Sequence, residues 1–393
     1  MKIKLGIAGL APLFVTLPSL CLAAGALTVK AVNKLQLARA GETIELSAKD
    51  LAPLGESDLS KIHIRASGGE ELLSQAVDTD YDELRKPDTV IFQADFAPGE
   101  TRTFTVTTGA KQRYAASDFK AHGRFVRERF DDFAWENDRI AHRTYGKALE
   151  TWAGEPLTSS AIDVWSKRTP RMVIDEWYIV DNYHQDTGEG ADFYPAGASR
   201  GCGGNGLWAA NTLWVSRNFV DSRVLANGPI RVMFELVYDA FDVNGMKVSE
   251  VKRVTLDAGS QLDHFQSFYE MHSGASRTPG ALTTAIGLKK VPGESKELNA
   301  HHGWLATWEP MEESAGHEGL AIILEPQLLE RQTEDSRNLL LLAKMPTNVA
   351  SYWAGFAWDK PGPYTTFEAW KAYVDEFSQR VRSPLEISVS VEH

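Results

Sequence analysis

The chain has 393 residues, of which 43% are hydrophobic and 24% charged, the composition of a globular protein with a sizeable core. This length predicts either two domains or one large β-rich domain with a smaller partner. The formal net charge of -12 argues against nucleic acid or an anionic membrane surface as a general partner, so an anionic ligand would need a local arginine pocket.

Residues 1–24 have the features of a secretory signal peptide. Two lysines precede an apolar run that ends in small residues around Ala23 and Ala24, and two prolines within the run argue against a membrane anchor. Cleavage would leave Cys202 as the only cysteine, so the mature chain would have no internal disulfide. We therefore expect a periplasmic or secreted protein with no membrane span after cleavage.

Residues 25–112 are predicted to form a small N-terminal β-sandwich. Short β-rich runs such as ETIELSA, DTVIFQADF and TRTFTVTT alternate with turn-forming clusters such as ARAGE and APGE. No pattern in this stretch indicates catalysis, which favours a structural or docking module.

Residues 113–393 are predicted to form a larger domain of antiparallel sheets. Two alternating runs flank the sequence VNG, and DAGS leads to a third, which predicts a meander over residues 229–271. GLAIILEP, NLLLLAK and ASYWAGFAW predict further strands. Residues 365–381 predict a helix, because five large side chains share one face: Phe367, Trp370, Tyr373, Val374 and Phe377. The predicted fold class is mostly β, with few helices.

Residues 131–149 contain the first candidate binding surface. Interpreted as one strand, they place alternate side chains on one face: Phe133, Trp135, Asn137, Arg139, Ala141, Arg143 and Tyr145. Aromatic rings stack on sugar faces, and guanidinium groups hold carboxylates in a bidentate geometry. This face therefore predicts an acidic-sugar site, with a solvated strand of paired charges as the alternative.

A glycine-rich loop over residues 181–208 contains the second candidate set. Tyr183, His184 and Tyr194 are possible acids or bases, and Arg200 supplies a cation. Glycines around Cys202 permit close backbone approaches, and this thiol is more typical of packing than of nucleophilic chemistry.

No cofactor is predicted from this loop, although a divalent metal is possible. The potential ligands are His184, Asp186, Glu189 and Asp192, and their spacing matches no defined metal motif.

The segment NAHHGWLATWEP forms the third candidate patch. It contains His301, His302, Trp304 and Trp308. Histidine titrates near neutrality and is the usual general acid or base, whereas a core or surface histidine is the alternative for either one singly.

Several segments resemble the bacterial family of unknown function DUF4861. These segments are FAWENDRIAHRTYG, DNYHQDTGEGADFY, SRGCGG, VLANGPIR and HHGWLATWEP. The resemblance covers nearly all of the mature chain and implies an exported protein of polysaccharide-utilisation loci, especially those for uronic-acid polymers such as pectin and ulvan. It also implies a galactose-mutarotase-like antiparallel β-supersandwich. At least one family member is an oligosaccharide dehydratase that produces a 4,5-unsaturated uronate, but no catalytic residue is carried over from it.

Elimination of the C4 substituent of a uronate needs a cation at the carboxylate, a base for the C5 proton and an acid for the departing oxygen. The expected cations are Arg139, Arg143 and Arg200. The expected base is His184, with His302 second. The expected acid is Tyr194 or Tyr183, and Trp135 and Trp304 would stack on the sugar.

The same groups would serve a lyase acting on an acidic oligosaccharide. A glycoside hydrolase would instead use paired carboxylates, for which the candidates are Glu136, Asp138, Glu189 and Asp192. A mutarotase-like epimerase and a non-catalytic carbohydrate-binding protein also remain open.

Overall fold

The structure is a computed structural model that describes residues 25–80, 86–154, 156–180, 182–272, 282–311 and 315–392. The predicted signal peptide lies outside the described residues. Within these ranges, no helix combines the length and the apolar character needed for a membrane span.

The described chain is mostly β, as predicted, with 26 strands and three α-helices. The helices are α1 (Ala48–Leu51), α2 (Ile174–Val180) and α3 (Phe367–Arg382). The first strands are β1 (Leu27–Val32), β2 (Arg39–Ser47), β3 (Ile62–Ala66), β4 (Glu71–Leu72), β5 (Ser74–Val77), β6 (Thr89–Phe96), β7 (Thr101–Thr108), β8 (Ala121–Val126), β9 (Asp132–Asn137), β10 (Ala141–Thr144), β11 (Asp163–Lys167), β12 (Gly190–Ala191) and β13 (Cys202–Ala209). The remaining strands are β14 (Thr212–Trp214), β15 (Asp221–Asn227), β16 (Arg231–Val243), β17 (Met246–Asp257), β18 (Leu262–Met271), β19 (Thr283–Lys289), β20 (Ser295–Asn299), β21 (Trp304–Pro310), β22 (His317–Ile323), β23 (Leu329–Glu334), β24 (Asn338–Lys344), β25 (Val349–Trp358) and β26 (Glu386–Val391).

The N-terminal region forms a small sandwich. A five-stranded sheet in the order β26-β1-β7-β3-β4 packs on a three-stranded sheet in the order β2-β6-β5. Alternate residues of β1 are buried between them, and Phe92 meets Phe104 edge to face with ring centroids 4.9 Å apart. The C-terminal strand β26 pairs with β1, so the end of the chain belongs to this sandwich, although the predicted division assigned it to the larger domain.

The larger unit packs an eight-stranded sheet against two five-stranded sheets. The eight strands run β15-β16-β17-β18-β25-β22-β21-β20, and the opposing sheets are β12-β11-β10-β9-β8 and β14-β13-β19-β24-β23. The predicted meander is present as β16, β17 and β18. Because side chains alternate along a strand, Phe234 and Leu236 enter the shared core, whereas Arg231 and Met233 point to the other face of the sheet.

Helix α3 covers part of that other face. The predicted helix is confirmed, and Thr366 caps its N-terminus by accepting a hydrogen bond from the Ala369 backbone N–H. Trp370 is fully buried against β21 and β22 and donates its indole N–H to the Leu320 carbonyl at 3.1 Å. Gly319 makes this packing possible, because a Cβ there would lie 2.5 Å from Cδ1 of Trp370.

Residues 131–149 do not form the single strand that their alternation predicted. Strands β9 and β10 form an antiparallel hairpin, and the turn between them is closed by Asn137. Its Oδ1 accepts the backbone N–H groups of Arg139 at 2.8 Å and Ile140 at 2.9 Å. An Asn side chain that mimics a turn therefore overrides the strand pattern.

The hairpin changes which side chains share a face. Trp135 lies directly opposite His142, whereas Arg143 lies opposite Ala134. Trp135 and Arg143 consequently point to opposite sides of the sheet, and the predicted aromatic–arginine face does not form as one surface.

Truncation of Trp370 tests how far the larger unit depends on α3. We expect Trp370→Ala to lower the free energy of unfolding by about 3–5 kcal/mol, because a large buried side chain leaves a cavity. Glu368→Ala, at an exposed position of the same helix, should change it by no more than about 0.5 kcal/mol. Urea denaturation of both variants would measure the difference, and equal effects would contradict this packing role.

Candidate functional site

A groove of about 1060 Å³ lies on the outer face of the eight-stranded sheet. The N-terminal sandwich forms one side, and α3 with the loop at 361–364 forms the other. Gln75 fixes the sandwich against the sheet, because its side-chain oxygen accepts the backbone N–H groups of Ile230 and Arg231 at 2.8 Å each. The groove is therefore built at a junction of rigid elements, where binding sites are common.

His264 and Trp353 form the centre of the groove floor. They are directly opposite each other on β18 and β25, and their rings stack with centroids 4.5 Å apart and an interplanar angle of 12°. Nε2 of His264 lies 2.9 Å from Oγ of Ser351. Burial, assisted by the nearby positive charge of Arg231, lowers the pKa of His264 to about 4. The imidazole is therefore neutral near pH 7, so its unprotonated ring nitrogen is available as an acceptor, while the lowered pKa makes it a weak base.

Cationic side chains are concentrated along the groove. The cationic residues are Arg139, Lys167, Arg168, Arg231, Arg253 and Arg380, and the acidic ones are Glu42, Glu45, Asp138, Asp257 and Glu376. Lys167 is buried and neutralised by Glu136, so five cations and five acids remain, although the whole chain has a net charge of -12. The groove therefore lacks the negative excess of the chain as a whole, which makes it a better place for an anion.

One of these cations, Arg139, is less committed to internal ion pairs than Arg231 or than Arg168, which is bonded to Asp186. Arg231 is held by Asp257 at 2.6 Å and Glu45 at 2.7 Å. Arg139, by contrast, has a side chain 56% exposed, and Asp138, its ion-pair partner, lies 3.7 Å away. Arg168 lies over the Trp358 ring, with its guanidinium carbon 4.6 Å from the centroid. Arg139 is therefore best placed to hold an anion.

A pair of tyrosines lines the α3 side of the groove. Tyr364 and Tyr373 have ring centroids 4.9 Å apart, and the Tyr373 hydroxyl accepts the Gln261 backbone N–H at 3.1 Å. Burial raises the pKa of Tyr364, so its phenol remains protonated and can donate a hydrogen bond or a proton.

Arg139 alone among the ten predicted site residues lines the groove. Trp135 is buried and donates its indole N–H to Oδ1 of Asp263 at 2.7 Å, which leaves its ring no open face for a sugar. Asn137 is also buried and donates to the carbonyls of Asp257 at 2.7 Å and Ser260 at 2.8 Å. Asn137 therefore supports the groove wall without entering the groove.

Tyr183, His184 and Arg143 do come together, at a different place. The Tyr183 and His184 rings have centroids 4.6 Å apart, and Arg143 donates to the Tyr183 hydroxyl at 3.2 Å. The His184 side chain is 63% exposed. Arg143 is buried and paired with Asp163 at 2.8 Å and Asp192 at 2.9 Å, so its charge is already neutralised inside the protein.

The remaining four predicted residues, Arg200, Tyr194, His302 and Trp304, lie at three further sites in the larger unit. Arg200 is buried, donates to Oγ of Ser160 at 3.0 Å, and has its pKa lowered to about 10 by burial. Tyr194 is buried at one end of the larger core. His302 and Trp304 both bond to the Asp375 carboxylate of α3, the tryptophan at 2.8 Å. The sequence-predicted set is thus distributed over separate surfaces.

The alternative roles of the glycine-rich loop are also constrained. Cys202 is buried, and burial raises the pKa of its thiol, which disfavours the thiolate. The acids of the possible metal set contact different arginines: Asp186 pairs with Arg168, Glu189 with Arg171 and Asp192 with Arg143.

Sequence reasoning missed the residues of the groove floor. The signal was present in the segment DHFQS, whose alternation puts His264 and Gln266 on one face and Phe265 on the other. The sequence does not predict that β18 pairs with β25, and this pairing brings Trp353 beside His264.

The acidified protein should reveal the burial of His264. Its folded-state pKa of about 4 lies below the usual value of about 6.5, so the unfolded chain binds more protons between these values. The contribution of His264 to the free energy of unfolding is therefore complete above about pH 6.5, and it is lost as the pH falls toward 4. In urea denaturation at pH 7 and pH 5, His264→Gln should lose less stability than the parent protein. Identical losses would show that His264 is not buried as described.

The chain resembles known proteins over nearly its full length. It matches the family described as domain of unknown function DUF4861 over residues 32–387. It is 33% identical over 379 residues to "Uncharacterized protein P7" of Formosa agariphila, and the match covers 92% of this chain and 93% of that protein.

Two solved structures from Enterococcus faecalis are similar to this chain at low identity. One is a protein in glycosyl hydrolase family 38, with a TM-score of 0.51, 12% identity and coverage of 95% of this chain and 48% of that chain. The other is an α-mannosidase, with a TM-score of 0.48, 10% identity and coverage of 95% and 47%. The chain spans about half the length of these two proteins, and the first likeness shows the fold alone. The match over residues 32–387 places the chain in the DUF4861 family.

Proposed function

We propose that this protein is a carbohydrate-processing enzyme whose groove binds an acidic oligosaccharide and eliminates the C4 substituent of a uronate. The observation that carries the proposal is the exposed guanidinium of Arg139 in the same groove as the stacked rings of His264 and Trp353. The product would be a 4,5-unsaturated uronate, formed by loss of water in a dehydratase or of a sugar in a lyase. An exported protein, periplasmic or secreted, would meet such oligosaccharides.

Three kinds of group in the groove match the needs of this elimination. Arg139 would bind the carboxylate and so stabilise the enolate-like charge that develops beside it. His264, neutral near pH 7, would take the C5 proton. As the C4–O bond breaks and the C4=C5 bond forms, Tyr364 would give its proton to the departing oxygen.

The aromatic side chains would position the sugar. Trp353 is stacked on His264 within the floor, and Trp358 carries Arg168 over its ring. Of these two rings, only Trp353 is partly exposed, so an apolar sugar face against Trp353 and a carboxylate against Arg139 would use both properties of the groove.

Loss of the Arg139 charge should weaken binding of a uronate-ended oligosaccharide. We expect Arg139→Gln to raise the dissociation constant about tenfold or more, because a charge-assisted hydrogen bond contributes about 1.5–3 kcal/mol. Isothermal titration calorimetry would measure the dissociation constant of both proteins. Arg127→Gln, at an exposed arginine outside the groove lining, should leave affinity unchanged, and equal effects of the two substitutions would contradict the carboxylate role.

Replacement of His264 should stop the reaction and leave much of the binding. We expect His264→Gln to lower kcat by about a hundredfold or more, as for the loss of a general base. The assay follows ultraviolet absorbance of the conjugated double bond, with mass spectrometry of the product. His272→Gln is a matched control, since His272 also bonds a serine hydroxyl, that of Ser249 at 2.9 Å, outside the groove lining.

The same assay separates the alternatives. Absorbance with loss of water indicates a dehydratase, and absorbance with chain cleavage indicates a lyase. New reducing ends without absorbance would establish a hydrolase, and binding without turnover a carbohydrate-binding protein; either result would overturn the elimination. If His184→Gln abolishes turnover while His264→Gln does not, the reaction centre lies beside Tyr183 and outside the groove.

A further inference from the structure

Two carboxyl groups face each other inside the larger core, behind one end of the groove. Glu309 of β21 and Glu318 of β22 occupy directly opposite positions in the antiparallel register. Both are buried, with 3% and 1% exposure, on the strand faces that also carry core leucines. Directly opposite side chains have Cβ atoms about 4.5–5.5 Å apart, so like charges there repel strongly in a buried site.

These carboxyl groups have no direct ion-pair partner among the described residues, although the charge of Lys289 acts on both of them. Among the described residues, no lysine, arginine or histidine nitrogen lies within 4.0 Å of either one as an ion-pair partner. Lys289 is near, but its ammonium lies over the Tyr194 ring, 4.9 Å from the centroid. Glu294 and Asp359 add further negative charge to the surroundings. Buried charge that is not paired is normally neutralised or coordinated to a metal.

The polar atoms around the pair are only partly satisfied within the described protein: the Ser166 hydroxyl donates to Oε1 of Glu318, but several other atoms have no partner. One carboxylate oxygen, Oε2, of each glutamate has no hydrogen bond, nor have the Tyr194 hydroxyl and the Thr307 hydroxyl. Tyr194 is 3% exposed and interacts electrostatically with both glutamates. A protonated carboxyl would relieve one charge but would still leave buried oxygen atoms unsatisfied.

We propose that Glu309 and Glu318 bind a divalent cation of the Ca²⁺ type, with Tyr194 lining the site. Both glutamates offer oxygen ligands, which hard cations prefer, and water would complete the coordination that Ca²⁺ requires. The thiol of Cys202 does not join the two carboxylates in a compact three-ligand group, which argues against a softer metal.

Such an ion would support the groove from behind. Glu318 is directly opposite Trp358, which lines the groove. Tyr194 follows Phe193, whose ring packs on Trp358 with centroids 5.5 Å apart. A cation between the glutamates and near Tyr194 would therefore join the glycine-rich loop to the C-terminal end of β25, which carries Trp358. This role does not depend on which reaction the groove performs.

The test uses the full chain after treatment with a chelator. Adding CaCl₂ should raise the Tm by several degrees, because an ion that binds only the folded state stabilises it. Calorimetric titration should give one site per chain. Glu309→Gln and Glu318→Gln, which preserve side-chain shape, should each abolish the shift and remain folded in chelator. Asp88→Asn is the matched control and should keep the shift, since Asp78, Asp80 and Asp88 form the compact acidic group found elsewhere in the described chain.

A second measurement covers the case in which the glutamine variants do not fold. Terbium should bind the parent protein with luminescence sensitised by the nearby aromatic rings of Tyr194 and Trp358, and Ca²⁺ should displace it. Absence of both a Ca²⁺-dependent Tm and terbium luminescence would overturn the proposal. So would a Ca²⁺ effect that survives Glu318→Gln but disappears in Asp88→Asn.

Discussion

The alternation of side chains across the eight-stranded sheet governs both the stability of the larger unit and its groove. In β18, Phe265 enters the core between the sheets while His264 and Gln266 form part of the groove floor. The same strands that bury the apolar face therefore present the polar face at fixed positions. A functional surface built this way is rigid, because moving its side chains would require moving the core.

Buried ion pairs explain why several charged residues of this chain stabilise its interior and are not available to a ligand. Lys167 is buried and bonds to Glu136 at 2.6 Å, and Arg143 is enclosed by Asp163 and Asp192. Such groups must be matched closely, since removing one partner leaves an uncompensated charge in the interior. Arg139 differs because the turn closed by Asn137 carries its side chain out to solvent.

Much of the fold could be predicted because it depends on local patterns. The VNG turn separates two alternating runs and gives β16 and β17, and the apolar stripe from Phe367 to Phe377 gives α3. Prediction failed over residues 131–149, where alternation continues through a turn made by the Asn137 side chain. Local periodicity does not distinguish one long strand from two strands joined by such a turn.

The sequence by itself determined the mostly β class, the meander, the C-terminal helix and the presence of several Arg, His and Trp residues as candidates for a binding site. Only the tertiary structure decided which of them meet. His264 and Trp353 become neighbours through strand pairing, and Arg139 lines the same groove at a junction formed by three separate parts of the chain. Strand order and domain packing depend on contacts between distant residues, whereas composition and periodicity record only what neighbouring residues favour.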